Sequence, residues 1–394
     1  MPARTADSDR TPPAHRIRPV VPPFLLERIA AGTDVGGRGV AIDHAASSAA
    51  RTLQVDREFA DGRRRSNEFT APRAVPGRKA LRRSIFDAES SRDLPGVLVR
   101  RESEAPSGDV AVDEAYSGLG VTFEFFEKVY GRSSLDGRGL PLDATVHYDR
   151  DYDNAFWDGE RMVFGDGDGE VFDRFTVSIS VIAHELAHGF TQFSSQLNYS
   201  GQAGALNESL SDVFGVLVEQ YSLGQTAEVA SWLVGEGLFL PAVEGRALRS
   251  MLEPGTAYDD DVLGKDPQPA DMDGYVETRS DYGGVHINSG IPNRAFAVTA
   301  RALPGPAWDR AGQVWFDVAT GGALRPDATF EDFASTTVAA AAARYGDESD
   351  VRRAVVQGWA TVGITVGDSD VPVGQAAGGT GPVGDVAAAA TQRT

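Results

Sequence analysis

Val181-Ile182-Ala183-His184-Glu185-Leu186-Ala187-His188 and, with Glu208 twenty residues beyond His188, Asn207-Glu208-Ser209-Leu210-Ser211-Asp212 decide how this chain is read. His184 and His188 stand four apart in a proline-free pattern of helical spacing over residues 176–192. Four residues turn a helix by about 400° and raise it by roughly 6 Å, so both imidazoles leave one face close enough to share a metal ion. Glu185 reaches the open side of such a metal without ligating it, where a base for an attacking water has to stand. A catalytic zinc takes three protein ligands and keeps its fourth position open. Glu208 is the candidate third ligand, near the start of a second helical pattern over residues 206–221. A helix, a turn and a second antiparallel helix would return it to the histidines. Asp212, one turn beyond Glu208, and Asn207 beside it could accept the remaining ring N–H of a ligating histidine, which fixes its tautomer. Taken singly, such histidines and acids are ordinary surface groups of helices; their joint spacing gives them a common purpose.

Composition narrows the setting. The 394 residues, 41% hydrophobic and 24% charged, suffice for two packed lobes. The absence of cysteine removes disulfides, a thiol nucleophile and thiolate ligands, leaving His, Asp and Glu to hold a metal. A formal charge of −20 argues against nucleic acid, which needs a concentrated basic face. The first 100 residues nevertheless carry 18 Lys/Arg against 12 Asp/Glu. That asymmetry reads either as solvated surface or as a basic head that docks on an acidic body. No stretch approaches the ~20 apolar residues of a membrane span, and residues 1–23 lack the apolar core of a Sec signal peptide.

Residues 1–68 read as a separate, poorly packed and processable head, with the apolar cluster Pro22-Pro23-Phe24-Leu25-Leu26, a small-residue run over 45–50 and the basic patch Arg63-Arg64-Arg65. From about residue 83, alternation and turn signals predict a strand-rich region, with the helical patterns 176–192 and 206–221 after it. Later helices are predicted over 291–302, 307–320, 329–345 and 348–362, separated by Pro and Gly. Beyond about residue 367 a Gly/Ala/Thr tail without aromatics is expected to be disordered.

Over residues 83–364 the chain resembles the thermolysin family of neutral metallopeptidases. The resemblance is carried, in the family's order, by Asn154-Ala155-Phe156-Trp157, Met162-Val163-Phe164-Gly165-Asp166-Gly167-Asp168-Gly169, His184-Glu185-Leu186-Ala187-His188, Gly204-Ala205-Leu206-Asn207-Glu208, Leu248-Arg249-Ser250-Met251 and Gly283-Gly284-Val285-His286-Ile287-Asn288-Ser289-Gly290. It implies one catalytic zinc on His184, His188 and Glu208. Glu185 is then the base that takes a proton from the attacking water and passes it to the leaving amine. The resemblance further implies that His286 and Tyr199 stabilise the oxyanion, that Asp281 orients His286, and that Asn154, Ala155 and Arg249 hold the substrate backbone. Phe172, Phe175, Val181, Val234 and Leu248 match an apolar pocket, which implies cleavage on the amino side of hydrophobic residues.

The family's double calcium site is only half matched. Glu219 and Glu236 are acidic, whereas Ser180, Ser231 and Leu233 fall at the other positions, so at most one calcium is expected. The short head with Pro22-Pro23-Phe24-Leu25 resembles the protealysin-like branch and implies an inhibitory prosegment. Self-cleavage is expected between residues 50 and 83, with Phe69 the first residue after the cut. The expectation is an α+β, two-lobed metalloendopeptidase: prosegment 1–68, N-terminal lobe 69–203, helical lobe 204–366 and tail 367–394. It is expected to be monomeric, to act on polypeptides, and to bind neither nucleic acid nor membrane. Resemblance points to secretion, with cytoplasmic residence and non-standard export the alternative. The rivals are a zinc-binding interaction protein without turnover, against which Glu185 and His286 speak, and another zinc hydrolase such as a deformylase or aminopeptidase.

Overall fold

The alternation after residue 83 is realised as a six-stranded mixed sheet that takes its outermost strand from the head. The computed structural model describes residues 18–32, 39–65 and 80–366. The expected tail, Phe69 and the side chains of Arg63, Arg64 and Arg65 lie outside the described part. The strands are β1 (Arg18–Pro19), β2 (Arg83–Asp87), β3 (Val97–Arg101), β4 (Leu142–Val146), β5 (Ala155–Trp157) and β6 (Met162–Phe164), arranged β1-β5-β6-β4-β2-β3. β2 runs parallel to β4 and β4 to β6. β1 lies antiparallel to β5, with Arg18 opposite Trp157 and Pro19 opposite Phe156.

The head adds two helices, α1 (Pro23–Ala30) and α2 (Gly39–Arg65), packed on each other. They overturn the expectation of a poorly packed head. Leu25, Leu26, Ile29, Ala45, Ala49 and Leu53 are buried in the main core, while Val55 joins Tyr148, Tyr152, Phe156 and Val163 in a smaller cluster. Small residues such as Ala45 and Ala49, which by composition resemble low complexity, let helices pack closely. Between β3 and β4 runs α3 (Val110–Tyr130), a 21-residue helix inside the region read as strand-rich. Asp109 caps it by accepting from Val112 N (3.0 Å), and Gly131, at φ 65°, ends it. Its buried residues include Leu119, Phe123, Phe125 and Phe126, and also Gly118, Gly120 and Thr122. No narrow apolar stripe therefore announces it.

The second half is mainly helical, as expected. α4 (Ile179–Gln192) starts after a short 3-10 turn, and α5 (Gly201–Leu223) packs on it. A two-stranded ribbon, β7 (Leu233–Val234) and β8 (Arg249–Ser250), precedes α6 (Asp281–Asn288), α7 (Gly290–Arg301), α8 (Ala311–Thr320), α9 (Phe330–Tyr345) and α10 (Asp350–Thr361). Thr329 and Asp332 form a reciprocal capping box at the start of α9. α4 is buried around its whole circumference from Ser180 to Thr191, so every polar group it carries needs a partner in the interior. α5 approaches it closely at Gly215, where a Cβ would lie 2.7 Å from Ser180 O and 3.2 Å from His184 N. Gly215→Ala is therefore expected to cost about 1–3 kcal/mol of stability through overpacking, read as a lower unfolding midpoint. An unchanged midpoint would show that the two helices can part freely.

Candidate metal centre and the cleft around it

Burial forces the polar groups of α4 and α5 onto one another. His184 donates from Nδ1 to Asp212 Oδ1 (2.8 Å). His188 donates from Nδ1 to Asn207 Oδ1 (3.0 Å), with Ser211 Oγ also at 3.0 Å. Both rings are thereby fixed with Nε2 free, and both Nε2 atoms, together with Glu208 Oε2, are buried without a hydrogen-bond partner. His184 Nε2 lies 3.5 Å from Glu208 Oε2, and His188 Nε2 lies 3.4 Å from Glu208 Oε1. These are close to the edges, roughly 3.3–3.4 Å, of a tetrahedron with zinc–ligand bonds near 2.0–2.1 Å. Among the described residues this is the one group of three or more metal-ligating side chains, with ligand atoms within 4.8 Å of one another. Two imidazole nitrogens and one carboxylate fit zinc, and a cation here would satisfy three buried orphans at once.

Glu185 stands beside this group. Its Oε2 accepts from Trp157 N (2.9 Å), while its Oε1 has no partner. Burial and the neighbouring Glu208 push its carboxyl well above the usual range. From the other side comes α6, whose opening residues Tyr282, Gly283 and Gly284 have φ of 52°, 93° and 76°. This turn lets Asp281 accept from both His286 N (2.8 Å) and His286 Nδ1 (2.6 Å). Burial, which disfavours the imidazolium, is outweighed by Asp281 and Glu208, and His286 is pushed up to about 9. Tyr199 donates its hydroxyl to Glu208 Oε1 and sits 3.3 Å from His286 Nε2. Arg249 forks onto Asp212 with bonds of 2.9 and 2.8 Å, and Asn293 Nδ2 adds another at 2.8 Å. Phe172, Phe175, Val181, Val234 and Leu248 are all buried in the main core.

The cleft holds the head. Val20 N donates to Ala155 O (3.1 Å), and Arg249 Nη1 donates to Val20 O (3.0 Å). Asn154 accepts from Val21 N (2.9 Å) and returns a bond from Nδ2 to Val21 O (3.2 Å). His286 Nε2 is 3.2 Å from Pro19 O. The half-buried Arg18 reaches Asn207 Oδ1 (3.3 Å), its guanidinium 5.2 Å from the centre of the Tyr199 ring. His184, His188, Glu208, Tyr199 and His286 thus stand together, with Asn154, Ala155 and Arg249 holding residues 20 and 21 of the head beside them, and Pro22-Pro23-Phe24-Leu25 follows directly on those residues.

Residues 77–192 match the catalytic domain of thermolysin metallopeptidases and residues 195–364 their alpha-helical domain. The chain is 51% identical over 355 residues to an extracellular metalloprotease of Pectobacterium carotovorum subsp. carotovorum, covering 88% of this chain and 96% of that one. The chain belongs to the thermolysin family of metallopeptidases. Protease PrtS of Photorhabdus sp. is 50% identical over 292 residues, 74% of this chain and 78% of that one. A solved structure, the precursor of protealysin, a metalloproteinase from Serratia proteamaculans, superposes with a TM-score of 0.78 at 50% identity, covering 88% of this chain and all (100%) of that one.

Several residues at this thermolysin-family cleft escape a reading for metal ligands: Arg18, Val20, Val21, the Trp157 amide, Asn293 and Asp56. A signal for Arg18 and Val21 was present. Arg18 precedes Pro19 and Val21 precedes Pro22, and a residue before proline is pushed toward extended backbone, the form a cleft-bound strand needs. Asp56, on α2, accepts from Tyr152 OH (2.5 Å) and Asn154 Nδ2 (3.3 Å). Burial raises its carboxyl from 3.8 to about 7, against the lowering pull of Tyr152, Asn154 and Arg57.

Two outcomes follow from these contacts. Asp212→Ala, which frees the His184 ring, is expected to weaken zinc affinity about 10–100-fold in a competitive chelator titration; unchanged affinity would deny Asp212 any hold on the metal site. A raised carboxyl favours the docked head fully below its free value of 3.8 and loses that contribution as pH rises to about 7. In a Glu185→Ala chain, hydrogen exchange of α2 is therefore expected to speed up across this window and to level above it, and Asp56→Asn to flatten the dependence. Equal slopes in both chains would remove Asp56 from the docking.

Proposed function

We propose that the chain is the precursor of a zinc-dependent endopeptidase that cleaves on the amino side of hydrophobic residues and is held inactive by its own head. One observation carries the reading. The three buried, unpartnered ligand atoms of His184, His188 and Glu208 face a cleft whose backbone-binding groups already grip an extended peptide. The proposed division is a head over 1–68, lobes over 69–203 and 204–366, and a tail from 367.

Zinc, when bound, polarises the substrate carbonyl and acidifies water in its open position. Glu185, anchored by Trp157 N through one oxygen, offers the other to take the water's proton and deliver it to the leaving nitrogen. His286, held by Asp281 on two bonds, presents its Nε2–H to the oxygen that becomes negative, and Tyr199, 3.3 Å from that nitrogen, turns its O–H from Glu208 to the same oxygen. Arg249 and Asn154 hold the chain after the scissile bond, and Ala155 O accepts the N–H of the residue entering the apolar pocket. The match of this grip to internal peptide backbone favours an endopeptidase over a deformylase or aminopeptidase. Calcium enters only at Glu219, which burial and Glu236 push up to about 7; among the described residues no third ligating side chain joins them. Placement outside the cell belongs to the same proposal, and is supported by the extracellular description of the Pectobacterium relative.

The head inhibits by occupying these groups. Ion pairs contribute at its rim, where Arg51 and Arg92 share Asp149 and Arg92 also meets Glu58, and Leu25, Leu26, Ile29, Leu53 and Val55 add apolar burial. Casein hydrolysis by the matured wild type should fall roughly a hundred- to ten-thousandfold in Glu185→Ala while bound zinc stays at one per chain. His286→Ala should lose about a hundred- to a thousandfold. Zinc binding without casein hydrolysis in the wild type, even after the head is removed by another protease, would replace this reading with that of an interaction protein.

A further inference from the structure

The head does more than fill the cleft; its register there singles out one peptide bond. Resting on the peptidase reading above, we infer that the Pro19–Val20 bond is an internal processing site that this chain hydrolyses in its own cleft. Four contacts fix the register independently. The carbonyl of Pro19 faces His286 Nε2 at 3.2 Å, where the oxyanion donors are. The next nitrogen, Val20 N, donates to Ala155 O at 3.1 Å, as the nitrogen of a bond about to be cut must. Val20 O takes the Arg249 Nη1 bond (3.0 Å) and Val21 N the Asn154 Oδ1 bond (2.9 Å), which belong to the first and second residues after that bond. A shift by one residue would turn side chains to the opposite face and put Pro19 or Pro22, which have no N–H, at a donor position.

The side chains agree with the backbone. Val20 is fully buried and belongs to the main core, as do Phe172, Phe175, Val181, Val234 and Leu248. Chain direction also agrees, since β1 runs antiparallel to β5. Hydrolysis adds water across the amide: hydroxyl joins the Pro19 carbonyl carbon, the C–N bond breaks, and Glu185 Oε1 carries the water's proton to Val20 N. The products are a fragment ending in a carboxylate at Pro19 and a chain beginning with an amine at Val20. Once cut, β1 loses its covalent link to α1, and Arg18 no longer ties Asn207 to the rest of the head. The clip thereby loosens the cover that the head forms.

The test is a time course of the full chain supplied with zinc, followed by intact-mass and fragment mass spectrometry, with casein hydrolysis read in parallel. The inference expects a fragment ending at Pro19 and a partner beginning at Val20. Their first-order rate should not change over a hundredfold range of protein concentration, because the bond lies in its own cleft. Both products should be absent in Glu185→Ala. In Val20→Asp, which puts a carboxylate into an apolar pocket, cleavage at this bond should slow more than tenfold, whereas casein hydrolysis by the head-free enzyme should not change. Casein hydrolysis with the chain intact across residues 19 and 20, or cleavage there at a rate proportional to concentration, would overturn the inference and leave the peptidase reading standing. Neither casein hydrolysis nor any self-cleavage would overturn both.

Discussion

The carboxylate of Asp212 is the point on which the cleft hangs. It is fully buried and accepts from His184 on α4, from Arg249 on β8 through two bonds and from Asn293 on α7. Burial alone would raise its pKa; Arg249 and His184 instead hold it well below the ordinary carboxylate range. A buried ion pair is stabilising only when its geometry is good and its remaining lone pairs are used, and a missing partner is costly. Here α4, β8 and α7 are tied to the same oxygen pair on α5. His184 gets its tautomer and Arg249 its position from one group, so under the proposed function metal binding and substrate binding share a single point of failure.

The second constraint is the edge of the sheet. β5 is the strand against which an extended peptide adds, and an unpaired edge invites any strand of the right direction. The head answers with its own residues, Arg18 to Val21, and then turns at once into α1 at Pro23, where a proline at the first helical position is tolerated. The long α2 locks this arrangement from behind, with Val55 and Phe59 on the aromatic cluster of Tyr148, Tyr152 and Phe156. Backbone hydrogen bonds give the occupant its register, and apolar burial gives the head its hold.

Much of this was legible in the sequence. The His-Glu-x-x-His spacing and Glu208 twenty residues on point to two antiparallel helices and a candidate metal site, whose ligand set the family resemblance completes, and both helices form within a few residues of the expected bounds. The later helices were legible from Pro and Gly breaks. α3 was not, because its burial on several faces leaves no single apolar stripe to mark it. The packing of the head was hidden by its composition: alanines that suggest low complexity are a helix contact surface. Arg18, Asn293 and the Trp157 amide act through contacts between segments far apart in the chain, which no local pattern encodes.

The central claim is that a metal on α4 and α5 faces the Pro19 carbonyl of the chain's own head. Anomalous diffraction at the zinc edge from crystals of the full-length Glu185→Ala chain tests it most directly. The account predicts one zinc peak bounded by His184 Nε2, His188 Nε2 and Glu208, with the Pro19 carbonyl on its open side and Val20 N on Ala155 O. A peak at other ligands, or a peak at these three with the cleft empty of residues 18–21, would contradict it.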